Sequence, residues 1–533
     1  MTAPSSKARA LDRTRLDRRT FVQGAVLSSL GAALPAAAPG WTNHHQAHRD
    51  QPVQAVVFAL NRIHKWDQSN GDTWDPFWAD DDSLYAFNCD GRGFGIDPMN
   101  LACNRLAGSS PDTLIGSRVN AMAAYGKANQ RGPDRATWKA CGQECIDGVF
   151  YAFVSRNTYG NESGDPLLRQ TARNASLIRS SDRGNTWARS AQENYANPMW
   201  PGPSFGAPFF VHYGRNGGNV TQDGADQFVY ACSTNGFWND GDHLILARVQ
   251  RRLLPRLDPA HWEYYIGGDG SQAAAWSPKV VQAQPILSRA ARCGQTPITF
   301  VPALGIYLLI SWYNTEKMTQ WFQPNRMRYD FYQAPYPWGP WRWLASQDDR
   351  FLGPGVHMYG PSLCARFQQQ RADGVEISLF TSGCPFEDVK QDPYKLWRIP
   401  VLLRTRPLPE PQAIQASNHR IQYQGLWFPW VTAEGASAAS VPRATLSLGA
   451  AAELTFTGIG IEYLADKSID QGTAFILLDG APAGTVSLHV SDFPILLGIA
   501  VYSNHHLTGG THTIRIVNGG SGRINIAGFR VYS

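Results

Sequence analysis

Short runs of β-branched, aromatic and aliphatic residues recur along most of this chain, and turns rich in Gly, Pro and Asp separate them. The runs have the length of strands rather than helices. No segment sustains a 3.6-residue hydrophobic period, and the helix-like patches at 121–127 and 257–262 are short. The pattern therefore predicts an all-β fold. The clearest runs are 56–60, 84–87, 149–154, 228–231, 244–247, 306–310 and 375–380.

A loose repeat runs through the first four hundred or so residues of the chain. An aromatic cluster closes each unit at intervals of roughly 50–70 residues, a length typical of four-stranded propeller blades. We therefore predict a five-bladed β-propeller over residues 53–406. The strand near 53–60 should complete the last blade, because closure removes free sheet edges. The predicted blades are about 72–130, 140–200, 205–268, 275–345 and 355–405.

The composition changes at the Pro-rich stretch 407–411, which predicts a semi-rigid linker. Residues 412–533 contain further strand-like runs and a hairpin turn at Asp479-Gly480, so we predict a separate β-sandwich. The segment resembles the jelly-roll modules appended to secreted carbohydrate-active enzymes, in G-x-G-I-x-Y, a strand ending in D-G, and G-x-H-T-I-R-I. Two interpretations stay open, sugar binding through Trp427 and Trp430 or a packing role.

The first forty residues have the features of an export signal. Asp17-Arg18-Arg19-Thr20-Phe21 is a twin-arginine pattern, and an apolar run (25–34) and small residues (36–38) follow it. We predict a signal peptide over 1–38 and a flexible tail over 39–52, and hence a secreted or periplasmic protein. The apolar run is too short to span a bilayer, and no later stretch of the sequence is long and apolar enough to do so.

The formal charge of +5 lies mostly in this leader, since residues 1–20 contain six basic and two acidic side chains. The nearly neutral remainder gives no electrostatic case for nucleic-acid binding. The eight cysteines are an even number, which permits disulfides in an exported protein. The close candidates are Cys141 with Cys145 and Cys89 with Cys103. The sequence has no paired CxxC, and no His close to these cysteines, as a zinc site would need.

The segment from Gly71 to Gly95 concentrates the candidate chemistry, with six carboxylates among aromatic runs. Glycoside hydrolysis needs one carboxylic acid to protonate the leaving oxygen and one carboxylate to activate water or attack. Asp72 precedes the first aromatic run and Asp90 ends the following strand. A hairpin can bring these two ends together, so we expect the two carboxyl groups within about 5–10 Å of each other.

Aromatic and basic side chains near these acids are candidates for substrate contact. Trp74 and Trp78 could stack on sugar faces, and Arg92 could hold a neighbouring acid in its ionised form. The body is thus predicted to bind a polysaccharide.

Residues 180–187 spell S-x-D-x-G-x-T-W, which resembles the Asp-box turn of sialidases and related propellers. We interpret Asp182 as a turn residue that accepts backbone N–H groups, with Gly184 at a positive φ and Trp187 packed between blades. This motif therefore indicates the position of a blade and does not identify a catalytic residue.

Roughly residues 70–400 resemble a secreted bacterial propeller family that includes endo-acting D-arabinan hydrolases. The matching segments are Asp72-x-Trp74, Trp78-Ala79-Asp80-Asp81, Asp90-Gly91-x-Gly93-Phe94-Gly95, Ser311-Trp312-Tyr313-Asn314, Tyr332-Gln333-Ala334-Pro335 and Tyr359-Gly360-Pro361-Ser362. The resemblance implies that Asp72 and Asp90 are the catalytic pair, and it adds Tyr313 and Tyr359 to the substrate-binding residues. The sequence departs from the family pattern at Asp75-Pro76, after Trp74, and at Asn88-Cys89. These departures leave the identity of the glycan open.

Several alternatives accompany this interpretation. Asp75 and Glu144 are reserve catalytic acids, and Asp80-Asp81-Asp82 is a solvated turn or, alternatively, a structural calcium site. No other cofactor or metal is predicted. The main hypothesis is an exported endo-acting glycoside hydrolase, and the alternative is a non-catalytic, lectin-like propeller. An exo-sialidase fits poorly, since no arginine cluster is placed to bind a carboxylate.

Overall fold

The computed structural model describes residues 53–59, 62–160, 164–218, 227–268, 274–315, 327–348, 358–383, 393–431, 441–489, 496–505 and 507–533. The predicted signal peptide, tail and Cys384 lie outside these residues. Within them the chain is nearly all β, which confirms the predicted fold class. The described helices are α1 (Ala191–Ala196) and 3₁₀ turns at Ala123–Tyr125, Arg215–Gly217, Arg251–Arg256, Pro259–His261 and Val280–Gln282. No helix of the described chain is long and apolar enough to cross a membrane.

The described strands of residues 53–406 form four sheets, and the ten-stranded one divides into two antiparallel groups where Pro208–His212 pairs in parallel with Ile298–Val301. The resulting groups are described below as five consecutive units. The chain begins with β1 (Ala55–Phe58) and β2 (His64–Lys65). Unit 1 contains β3 (Phe77–Trp78), β4 (Leu84–Gly91), β5 (Met99–Ala107) and β6 (Ile115–Asn120). Unit 2 contains β7 (Thr137–Ile146), β8 (Val149–Thr158) and β9 (Thr171–Ser180).

The later units follow the same plan. Unit 3 contains β10 (Pro208–His212), β11 (Phe228–Thr234), β12 (Gly241–Gln250), β13 (Trp262–Tyr265), β14 (Trp276–Ser277) and β15 (Pro285–Cys293). Unit 4 contains β16 (Ile298–Val301), β17 (Ile306–Asn314), β18 (Met327–Ala334) and β19 (Arg342–Asp348). Unit 5 contains β20 (Met358–Arg371), β21 (Gly374–Gly383) and β22 (Leu396–Arg404).

The first strands of the five units form a closed ring. β3 contacts β7, β7 contacts β10, β10 contacts β16, β16 contacts β20, and β20 returns to β3. β10 and β16 also pair in parallel, with His212 opposite Thr299. At the other end of the polypeptide, β1 pairs antiparallel with β22, so the N-terminal strand completes the last unit as predicted.

The hydrophobic cores lie between neighbouring units rather than inside them. Aromatic and aliphatic residues of units 4 and 5 share one core, for example Tyr329 and Leu379. Leu84 of unit 1 packs with Phe380 of unit 5, and Phe87 of unit 1 packs with Val154 of unit 2. This arrangement explains why strands such as β7 are buried along their whole length and show no polar–apolar alternation.

Residues 412–533 form three antiparallel sheets. Their strands are β23 (Gln412–Gln415), β24 (Ile421–Gln424), β25 (Phe428–Pro429), β26 (Arg443–Thr445), β27 (Ala451–Gly458), β28 (Gly460–Lys467), β29 (Thr473–Leu478), β30 (Ala481–Ser487), β31 (Leu496–Asn504), β32 (Gly510–Asn518), β33 (Ile524–Ile526) and β34 (Gly528–Tyr532). The sheets β23-β34-β28-β31 and β24-β27-β32-β29-β30 contribute to one shared core, which includes Phe529 and Ile514. Asp479 and Gly480 have φ values of 52° and 79° and connect β29 to β30.

Two local predictions can be compared with the structure. Asp182 accepts hydrogen bonds from the Thr186 backbone N–H (2.8 Å) and hydroxyl (2.7 Å), and Gly184 has φ 89°. The seven described cysteines, by contrast, are all buried free thiols, so the suggested Cys141–Cys145 and Cys89–Cys103 disulfides are not formed. Cys141 and Cys145 are four residues apart on the extended strand β7, a separation of about 13 Å, whereas a disulfide spans at most about 7 Å between Cα atoms.

Closure of the ring through β1 makes a testable prediction. Phe58 is buried against Phe331, with ring centroids 5.7 Å apart. Phe58→Ala should lower the free energy of unfolding by about 3–5 kcal/mol, because it leaves a cavity where the first and last strands join. Chemical denaturation measures this, with the exposed Ile115→Ala as control, expected to change stability by less than about 0.5 kcal/mol. Equal stabilities of the two variants would show that β1 does not hold the ring.

Candidate functional site

Asp72 and Asp90 lie side by side at the start of unit 1. The backbone of Asp72 pairs with Cys89 in both directions, at 3.0 and 2.9 Å, which sets Asp90 next to the Asp72 strand. Asp90 itself has φ 48° and Thr73 has φ 53°, values that are uncommon for residues other than glycine. Such backbone strain is concentrated at functional sites in proteins.

A buried lysine connects the two acids. Lys139, on the inner strand β7 of unit 2, forms an ion pair with the Asp90 Oδ2 atom. The Tyr159 hydroxyl donates to the same oxygen at 2.9 Å, and the Lys139 ammonium lies 5.3 Å from the centre of the Tyr159 ring. Asp90 Oδ1 is buried and has no hydrogen-bond partner among the described residues. One oxygen of Asp90 is therefore held by the cation, and the other has no proton donor.

Unit 5 supplies the other wall of the site. The Tyr359 hydroxyl, on β20, donates to Asp72 Oδ2 at 2.7 Å. The Tyr394 hydroxyl, just before β22, donates to the backbone carbonyl of Asp90 at 3.2 Å. The candidate site is thus assembled from units 1, 2 and 5, at the point where the ring closes.

The two carboxyl groups have different electrostatic surroundings. Burial raises the pKa of Asp72 to about 6; the negative charge of Asp90 adds to the shift, while Lys139 and the hydroxyls of Tyr359 and Tyr394 oppose it. Burial would lower the pKa of Lys139, but Asp90, Tyr159 and Asp72 raise it well above its usual value. The lysine therefore stays charged. Asp90 forms the direct ion pair with Lys139, whereas Asp72 can hold a proton in mildly acidic conditions.

Asp75 and Glu144 form a second cluster, at the centre of the ring. His212 Nε2 lies 2.9 Å from Asp75 Oδ1, and Nδ1 lies 2.8 Å from Glu144 Oε2. The Ser362 hydroxyl and the Gln143 backbone N–H also donate to Asp75, at 2.7 and 3.3 Å. Both imidazole nitrogens therefore face acceptors, which the protonated ring satisfies by donating from each.

The central cluster is closed to solvent. Asp75, Glu144 and His212 are 1%, 2% and 5% exposed. Burial would lower the pKa of His212, but the two carboxylates raise it to about 10. Burial raises the pKa of Glu144, and His212 opposes this shift. Asp75 and Glu144, the reserve catalytic acids, are thus both hydrogen-bonded to His212 and buried in this structure.

The predicted substrate-binding residues divide between the site and the core. Tyr359 contacts Asp72, as described. Trp74 is 0% exposed and donates from Nε1 to the Gly71 carbonyl, so the prediction that it stacks on a sugar is wrong. Tyr313 is also buried and donates to Asp330 at 3.0 Å, in unit 4. Trp74 packs in a core shared by units 1 and 5, and Tyr313 lies on β17, which is buried along almost its whole length, so both side chains are turned away from solvent.

Trp78 and Arg92 are partly exposed but point to local partners. Trp78 Nε1 donates to Asp82 Oδ1 at 2.8 Å, and Arg92 Nη1 donates to the Gly95 carbonyl at 3.0 Å. The sequence predicts Arg92 as the cation beside a catalytic acid. Lys139 is the cation in that position.

The acidic run after Trp78 forms a turn. Asp80 pairs with Arg183 at 2.9 Å, and Asp81 accepts from the Ser83 backbone N–H at 3.0 Å. The carboxylates of this run are thus bound by an arginine side chain and by a backbone N–H group. No group of three or more His, Cys, Asp and Glu side chains among the described residues is arranged to hold a metal ion.

Sequence reasoning missed Lys139, Tyr159, Tyr394 and His212. Lys139 and His212 had a usable signal, because Lys139 lies between Trp138 and Ala140 and His212 ends the apolar run 208–211. Such a residue needs a buried partner. The two tyrosines had no comparable signal, since aromatics are frequent throughout the chain.

No protein-family model and no curated protein sequence matches this chain. An exo-β-1,3-galactanase from Phanerochaete chrysosporium is similar in structure, at 11% identity and TM-score 0.44, over 90% of this chain and 100% of that one. A glycoside hydrolase family 43 arabinoxylan arabinofuranohydrolase from Bacillus subtilis matches at 12% identity and TM-score 0.32, over 88% and 97%. The GH62 α-L-arabinofuranosidase catalytic domain of Coprinopsis cinerea matches at 10% identity and TM-score 0.36, over 63% and 91%. Similarity at this level decides nothing about activity.

The central cluster predicts a pH-dependent stability. Because folding raises the pKa of His212 from 6.5 to about 10, its contribution is complete below 6.5 and is lost as the pH rises through about 10. His212→Gln should therefore cost about 3–5 kcal/mol near neutral pH, and the difference from wild type should shrink as the pH approaches 10. Denaturant titrations at several pH values measure this, with the exposed His419→Gln as control. A pH-independent difference would contradict a charged His212.

Proposed function

We propose that the chain is an exported glycoside hydrolase that cleaves within a polysaccharide, most readily an arabinan-type furanoside. The observation that carries this proposal is the juxtaposition of Asp72 and Asp90 around Lys139, with one acid able to hold a proton and the other paired with a cation. Glycoside hydrolysis uses two carboxyl groups in those two states. The closed ring of antiparallel units supports a five-bladed propeller, and the twin-arginine pattern supports export.

The surroundings of the two acids support one division of roles. Asp72, in its protonated form, donates its proton to the glycosidic oxygen as the C–O bond breaks. Asp90, as a carboxylate, takes a proton from the attacking water or attacks the anomeric carbon itself. The Lys139 ammonium keeps a positive charge beside Asp90 in both states of Asp72. The substrate class follows the sequence resemblance at Asp72-x-Trp74 and Asp90-Gly91-x-Gly93.

Loss of either carboxyl group tests the proposal. Asp72→Asn and Asp90→Asn should each lower kcat by at least about 100-fold, since each removes one partner of the proton transfers. The assay is oligosaccharide release from a panel of polysaccharides that includes D-arabinan. The exposed Asp97→Asn, seven positions after Asp90, is the matched control. Equal release by wild type and Asp72→Asn would exclude Asp72, and binding with no release by wild type would favour a lectin.

The lysine makes a second, independent prediction. Activity should fall as the pH rises above about 6, where Asp72 loses its proton. Lys139 lowers the pKa of Asp72, so in Lys139→Met the Asp72 carboxyl should bind its proton at higher pH. The pH profile of kcat/KM should then move to higher pH, with a lower maximum.

The control for this experiment is the exposed Lys279→Met, whose profile should match wild type. A lower rate with an unmoved profile in Lys139→Met would show that the lysine acts only in folding and does not set the charge of the two acids.

A further inference from the structure

A pocket lies beside the candidate active site, in a region to which neither the motifs nor the proposed mechanism assigns a role. Its volume is about 210 Å³, equivalent to about seven waters at ~30 Å³ each and so roughly the space of one sugar ring. The loop between units 1 and 2 forms one side, and strands β7, β8 and helix α1 form the other. Its principal lining residues are Tyr125, Gln130, Arg131, Trp138, Arg156 and Tyr195.

The pocket is continuous with the catalytic pair through the loop. Arg131 lines the pocket, and its guanidinium carbon lies 5.4 Å from the centre of the Tyr159 ring. The Tyr159 hydroxyl donates to Asn129 Oδ1 at 3.0 Å and to Asp90 Oδ2 at 2.9 Å. Tyr159 therefore contacts both Asp90 and residues of the loop that forms one side of the pocket, which links the pocket to the catalytic pair.

A buried arginine gives the pocket a fixed donor. Arg156 is 2% exposed, and its guanidinium carbon lies 4.5 Å from the Trp138 ring centre and 5.3 Å from that of Tyr195. Its Nε and Nη2 atoms donate to the Asp134 carboxylate at 3.1 and 2.7 Å. Nη1 has no hydrogen-bond partner among the described residues. Asp134 compensates the charge of Arg156, so its remaining N–H groups act as hydrogen-bond donors and not as an unpaired cation.

The combination of features matches an uncharged sugar. Tyr195 is 40% exposed, and a tyrosine ring at a surface offers an apolar face with a polar tip. The C–H face of a sugar packs on such a ring while its hydroxyl oxygens accept from a donor such as Arg156 Nη1. Small molecules are bound in this way in general, by apolar and aromatic walls with a few placed polar groups.

We propose that this pocket is a subsite for an uncharged residue of the polysaccharide chain, next to the residues at which Asp72 and Asp90 act. The proposal rests on the proposed function, since that function supplies the chain. It adds to that function a binding site for a sugar residue away from the cleaved bond. Binding of such an interior residue of the polymer favours endo-acting cleavage.

The test measures binding separately from cleavage. Asp72→Asn serves as the background, and D-arabinan is the probe, with binding followed by affinity electrophoresis and calorimetry. Adding Tyr195→Ala should raise Kd about three- to ten-fold, the size expected for one aromatic contact. Adding Trp343→Ala, which removes a 53% exposed aromatic in unit 4, should leave Kd unchanged.

The outcomes separate the two proposals. An unchanged Kd on addition of Tyr195→Ala overturns the subsite, even where wild type releases oligosaccharides. Tyr195-dependent binding together with no oligosaccharide release by wild type keeps the pocket as a sugar site and rejects the hydrolase.

Discussion

The imidazole of His212, shared between Asp75 and Glu144, is the contact on which the inner ring depends. The three side chains come from units 3, 1 and 2, and Ser362 of unit 5 adds a hydrogen bond. First strands that converge on one axis bring polar side chains into a region closed to water, where each must be paired with another. A cation with an acceptor at each nitrogen meets that requirement for three units at once.

The same geometry explains why neighbouring acids of one segment have different roles. Asp75 and Asp72 are three residues apart, yet one faces the axis and the other faces Tyr359. Thr73 between them has φ 53°, a conformation that costs a β-branched residue about 1–3 kcal/mol. The fixed axial contact of Asp75 holds this turn in place. Strain at Thr73 is therefore balanced by the central cluster, and it directs Asp72 outward to the site.

Much of the architecture could be predicted from the sequence, because strand runs and turns are local signals. The runs of units 1 to 5, the closing strand β1 and the Asp479-Gly480 turn all follow from such signals. The site was predicted only in part. Asp72 and Asp90 share a hairpin, so their proximity is local, whereas Lys139 reaches them from another unit. Burial of Trp74 likewise depends on packing between units 1 and 5, which no periodicity in the sequence encodes.

Burial is the main cause of the raised pKa of Asp72, and Lys139 opposes it. Lys139 forms its ion pair with Asp90 and acts on Asp72 through space. Asp72 then experiences burial and the charge of Asp90, both of which favour its protonated form. Tyr159 fixes Asp90 from the other side and also meets the loop that borders the Tyr195 pocket. A chain seated in that pocket would therefore approach the site on the side of the ionised acid, with Asp72 across the cleaved bond.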